Sequence, residues 1–74
     1  MIEFEIKEMP GENEPFIELN KLLKVLRWVE SGAMANEMIT DQLVKVNGNV
    51  DTRKRAKLRR GDIVEFEGNT AKIV

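Results

Sequence analysis

The chain has 74 residues, 34% of them charged, a formal net charge of −1, and neither cysteine nor histidine. That excludes disulfides, thiolate zinc sites, and the commonest general base and metal ligand. A chain of this length supports one domain, residues 1–74, with a small core.

Residues 1–6 alternate strictly, with Ile2, Phe4 and Ile6 on one face and Glu3 and Glu5 on the other, which predicts a half-buried strand. Residues 8–15, EMPGENEP, hold two prolines, a glycine and three glutamates and read as a loop. This acidic beginning has no long apolar run, so it reads as neither a signal peptide nor a transmembrane helix. Together with the missing cysteines it places the protein in the cytoplasm as an expectation.

Leu19, Leu22, Leu23, Leu26 and Val29 form one apolar stripe at helical spacing. With Asn20 as N-cap, the spacing predicts a helix over about 21–29. Lys21, Lys24 and Arg27 then share a stripe beside the apolar one. Trp28 packs at the edge of the core in this reading. Ser31 is a good N-cap for a second helix through about Thr40, with Ala35, Met38 and Ile39 inward.

Leu43–Val46 reads as a strand, Asn47-Gly48 as a tight hairpin turn, and the return strand starts near Val50. Arg53 to Lys57, RKRAK, has no period-2 pattern and reads as a loop. Arg60-Gly61-Asp62 is a turn, Ile63 to Glu67 a strand, Gly68-Asn69 a turn, and Ala71–Val74 the closing strand. The class is α+β: two short helices packed on one side of a small antiparallel or mixed sheet.

Charge is segregated along the chain. Residues 1–18 hold six acids and one base, residues 19–44 three of each, residues 45–60 one acid and seven bases, and residues 61–74 three acids and one base. A nearly neutral protein therefore carries a net +6 in sixteen residues, which points to one basic face and a polyanionic partner.

The run from Ile17 to Phe66 resembles the alpha-L RNA-binding motif, the domain named for the S-four ribosomal protein. The resemblance rests on Leu19-Asn20-Lys21, Ser31 with Ala35, Val44-Lys45-Val46-Asn47-Gly48, and Gly61-Asp62, in that order and spacing. The core motif spans about 17–66. Thr52 to Lys57, TRKRAK, is further similar to small stand-alone bacterial members of the YbcJ type. The chain departs from the family at Glu18, where many members have arginine. It departs again at Gly32 and Asn36, where many have arginine and lysine. Those helix-face cations contact RNA in the family. Their loss shifts the implied footprint toward the hairpin and the basic loop, with Lys21 retained.

The resemblance implies an RNA-binding module on ribosomal or ribosome-bound RNA. Arginine offers phosphate a planar fork of donors and lysine a mobile point charge. Structured RNA is recognised mostly by shape, phosphate and 2′-hydroxyl contacts. The candidate RNA-binding residues are Lys21, Lys45, Asn47, Arg53, Lys54, Arg55, Lys57, Arg59 and Arg60. Single-strand recognition needs exposed rings, and Phe4, Phe16, Phe66 and Trp28 mostly read as core. Catalysis fits poorly, since His, Cys and Tyr are absent and Gly61 and Gly68 are isolated rather than part of a phosphate-cradling loop. The expectation is therefore a monomer without metal, cofactor, small-molecule substrate or membrane. A protein-interaction adaptor is the alternative: Glu3, Glu5, Glu8, Glu12 and Glu14 would face a basic partner, the basic loop an acidic one, and edge strands would offer β-augmentation.

Overall fold

The computed structural model describes residues 1–7 and 15–74. Most of the expected loop at 8–15 therefore lies outside the described residues. The elements in chain order are β1 (Ile2–Phe4), β2 (Ile17–Glu18), α1 (Leu19–Val25), α2 (Gly32–Thr40), β3 (Val44–Val46), β4 (Asn49–Val50), β5 (Lys57–Leu58), β6 (Ile63–Phe66) and β7 (Asn69–Ile73). The expected α+β class is borne out. Five strands form a mixed sheet in the order β1-β7-β6-β3-β4, parallel only where β1 meets β7, and β2 pairs antiparallel with β5 in a separate small sheet.

The core lies between the helices and one face of the five-stranded sheet. Leu19, Leu22, Leu23, Ile39, Val44, Leu58, Val64 and Ile73 are fully buried there. Alternation along the strands turns Lys45, Glu65 and Lys72 to the opposite, helix-free face. Trp28 packs against this core, its ring 6.5 Å from that of Phe66 at 26°.

Helix α1 differs from the expected 21–29 at both ends. It starts two residues earlier, and Asn20 sits inside it rather than capping it. The N-cap is Glu18, whose side chain makes no capping bond. The first helical N–H groups are satisfied from far along the chain instead: Leu19 donates to the Ala56 carbonyl at 2.9 Å and Asn20 to the Lys54 carbonyl at 3.0 Å. The helix also stops early. Arg27 adopts φ 62°, its N–H donates to the Lys24 carbonyl, and the Trp28 N–H reaches back to the Leu23 carbonyl. This left-handed ending usually takes glycine, so the sequence carries no stop signal here. The expected stripe Lys21-Lys24-Arg27 is broken at Arg27, which lies past the last turn.

Helix α2 matches its expectation. The Ser31 hydroxyl accepts from the Met34 N–H at 3.1 Å, and Ala35 and Ile39 are buried. Ser31→Ala removes that acceptor and lowers stability by about 1 kcal/mol; Ser31→Asp retains an acceptor and keeps most of it. Urea midpoints of the two variants check this. The C-terminus repeats the device of α1, with Gln42 at φ 64° and the Leu43 N–H bonded to the Met38 carbonyl.

The Asn47-Gly48 hairpin forms as expected, with φ of 51° and 86° at its two turn residues. The last turn falls one residue earlier than expected: Glu67 and Gly68 take φ of 50° and 80°, and Asn69 already pairs with Phe66 in β7. Glu67 lacks the usual Asn or Asp signal, which is why the turn reads one residue late. Ile2, expected inward, is 46% exposed because β1 is the sheet's edge. The pairing of β2 with β5 was not expected. Neither strand is longer than two residues, too short to show a period.

Candidate nucleic-acid interface

The stretch from Asp51 to Leu58 is built, not loose. The Asp51 N–H continues from the hairpin to the Val44 carbonyl. The Asp51 carboxylate accepts from the Arg53 backbone N–H at 2.9 Å, and the Ala56 N–H closes a turn onto the Arg53 carbonyl at 3.1 Å. Ala56 and Leu58 are buried, and Lys57 and Leu58 pair with Glu18 and Ile17. With the Lys54 and Ala56 carbonyls on the first turn of α1, the basic stretch is docked onto the N-terminus of that helix. Its side chains Arg53, Lys54, Arg55 and Lys57 are left exposed on a fixed backbone.

This docking brings distant cations together. Lys21 and Lys24 of α1 share with Arg55 a cleft of about 290 Å³ that Glu18, Asn20 and Gly32 also line. On the cleft's helical wall the Asn20 side-chain amide donates to the side-chain Oδ1 of Asn36 at 3.0 Å and ties α1 to α2. The Arg55 Nε stands 3.7 Å from the Glu18 carboxylate. Arg53 holds Asp51 more tightly, through Nη2 at 2.8 Å and Nε at 3.1 Å. That hydrogen bond is the main reason why the Asp51 carboxyl lies below the usual carboxylate range, although burial opposes it. Lys57 lies 4.7 Å and Arg59 5.6 Å from the centre of the half-buried Phe16 ring.

The family model described as S4 domain matches residues 12–74. The chain belongs to the S4 domain family. YbcJ of Escherichia coli (strain K12) is 47% identical over 60 residues, covering 81% of this chain and 86% of YbcJ. A probable ribosome maturation protein, RlbA of Bacillus subtilis (strain 168), is 40% identical over 52 residues, covering 70% of this chain and 73% of its own. The solution structure of E. coli YbcJ, described as revealing an alfaL motif involved in RNA-binding, superposes with a TM-score of 0.71 at 40% identity. That superposition covers all of this chain and 87% of YbcJ. The resemblance to YbcJ-type members of the S4 family is thus borne out.

Within this S4 domain the nine candidate residues divide. Lys21, Lys54, Arg55 and Lys57 come together around the N-terminus of α1, and Arg53 stands at the hairpin end of the same loop. Lys45 does not join them. It projects from the helix-free face of the sheet, opposite Glu65 in the neighbouring strand. Arg60 donates to the Ile6 carbonyl at 3.2 Å and fastens the first segment of the chain. The Arg59 backbone N–H is held by Asp62 at 2.8 Å.

Asn47 has an internal task. Its amide donates to Asp62 at 3.0 Å, and its oxygen accepts from the Ile63 N–H at 2.9 Å, which joins the hairpin to the Gly61-Asp62 turn. Asn47→Ala therefore costs about 1–2 kcal/mol of stability and leaves RNA affinity unchanged. An affinity loss at unchanged urea midpoint would instead put the amide on RNA.

Sequence reasoning missed two participants. Lys24 is not among the nine candidates, yet it lines the cleft. Phe16 read as core, yet its ring seats two of the cations. No sequence signal marks Phe16, because the neighbouring pairing of Ile17-Glu18 with Lys57-Leu58 joins strands too short to show a period. Among the described residues no group of three or more Asp, Glu, His or Cys could hold a metal, and no helix is long and apolar enough to cross a membrane.

Proposed function

We propose that this S4 domain is a non-catalytic, cytoplasmic RNA-binding module that docks as a monomer on structured RNA, ribosomal RNA or RNA on the ribosome. One observation carries the reading: the basic loop is hydrogen-bonded by its own backbone to the first turn of α1. The Lys54 backbone is thereby fixed on the first turn of α1, and Arg55 lines one cleft with Lys21 and Lys24. A preset array of cations meets a preset array of phosphates without first ordering a loop, which removes an entropic cost from binding. Recognition by shape and phosphate suits structured RNA. The RNA-binding motif described for YbcJ and the ribosome maturation named for RlbA support the same class of partner. Phe16 is half-buried under Lys57 and Arg59, and Trp28 packs on Phe66, so stacking platforms for single strands are few.

If about four phosphates are neutralised, affinity should fall with salt at a log–log slope of about −3 to −4. The deciding experiment is crosslinking in the native cell, with recovery and sequencing of the attached RNA. The control is the protein carrying Lys21→Glu and Lys54→Glu. A sharp set of sites in one structured RNA, lost in the control, supports the reading and names the partner. Recovery no better than the control, together with tight capture of a purified protein, would favour the adaptor instead.

A further inference from the structure

The cations of this face fall into two kinds. Arg53 and Arg55 each face a carboxylate of the chain itself, Asp51 and Glu18. Lys54 between them, and Lys21 and Lys24 across the cleft, have no ion pair among the described residues. The two carboxylates are also unlike. Asp51 is held by the Arg53 backbone N–H as well as its guanidinium, so it is part of the loop's construction. Glu18 makes no capping bond to α1, although it occupies the N-cap position. It approaches Arg55 only to 3.7 Å, and both side chains are open to water at 30% and 83% exposure. A loose, exposed pair contributes little to stability. It still sets what an incoming anion must displace.

We propose that Glu18 withholds Arg55 from arbitrary polyanions, so that its guanidinium meets phosphate only on an RNA that can displace the carboxylate. This rests on the RNA-binding reading and adds a selectivity device to it. The unpaired lysines attract any polyanion, because a point charge on a flexible stem accepts many geometries. The arginine fork is directional, and the carboxylate nearest to it is that of Glu18 at the N-cap of α1, 3.7 Å from Nε. An RNA with a phosphate at that position replaces this loose approach with a hydrogen-bonded fork. A polyanion without one meets the lysines and is repelled by Glu18. Glu18 thereby lowers weak, general binding more than matched binding.

Glu18→Gln removes the charge at nearly constant shape. The protein should elute from a heparin column at higher salt and bind a short random-sequence RNA duplex about two- to fivefold more tightly. Because any lost acid raises affinity for polyanions, the matched control is Glu67→Gln, exposed in the turn between β6 and β7, which should gain clearly less. The deciding measurement is the cycle with Arg55→Gln: in that background the gain from Glu18→Gln should vanish. A gain equal to that of Glu67→Gln, or one that persists without Arg55, overturns the proposal. If neither wild type nor variants bind the RNA duplex or any RNA recovered by crosslinking, the RNA-binding reading fails, while the heparin cycle still decides whether Glu18 and Arg55 compete.

Discussion

Lys21→Glu combined with Lys54→Glu should abolish retention on structured RNA and leave thermal unfolding where it was. Both side chains are exposed, and neither has an ion-pair partner among the described residues. The contact of Lys54 with α1 is made by its backbone carbonyl, which every residue type retains. Each reversal removes one neutralised phosphate and sets an acid in its place. The salt slope should lose about two units, and affinity at moderate salt should fall on the order of a hundredfold. Arg53→Glu with Arg55→Glu, the pair that composition alone nominates, is a less clean test. It would press a second carboxylate against Asp51 and another against Glu18, so repulsion within the loop would add to the loss of contacts. The measurement is fluorescence anisotropy against RNA recovered by crosslinking, with melting curves of the same samples. Unchanged affinity would remove the α1 cleft from the interface. A parallel fall in melting temperature would make the lysines structural.

Leu58→Ala should be the most damaging single truncation near the site, with a melting temperature lower by about 10 °C or more. Leu58 is 1% exposed, in the core, on the short strand that leads out of the basic loop. Removing three buried carbons costs about 2–5 kcal/mol, a large share of the roughly 4–11 kcal/mol that a domain of this size holds in total. Leu43→Ala provides the comparison, because Leu43 is 49% exposed and should cost under about 1 kcal/mol. The Leu58 variant should also lose order first where β2 meets β5, so amides of residues 54–58 should exchange faster than those of β6 and β7. Equal melting shifts for the two leucines would mean that the small sheet does not anchor the loop.

The sequence by itself determined what local chemistry encodes. Ser31 marks the start of α2 because a hydroxyl is needed where helical N–H groups have no partner. Asn47-Gly48 marks its hairpin because both positions need positive φ. The leucine stripe of α1 and the alternation of β6 show which faces are buried, and the run from Lys45 to Arg60 shows that positive charge is concentrated. Only the tertiary structure decided how that charge is presented. The first turn of α1 is completed by carbonyls of Lys54 and Ala56, a contact between segments that carry no mutual signal. Both helices end on left-handed residues, Arg27 and Gln42, with no glycine to announce it. Strands of two residues have no period to detect. The linear charge count could not tell Lys45, which faces away from the helices, from Lys54, which is docked on α1. Nor could it show that Arg53 and Arg55 already have carboxylate partners while Lys21, Lys24 and Lys54 do not. Sequence order sets how much charge a segment holds; packing against distant segments sets which of those charges share a face and which are already matched.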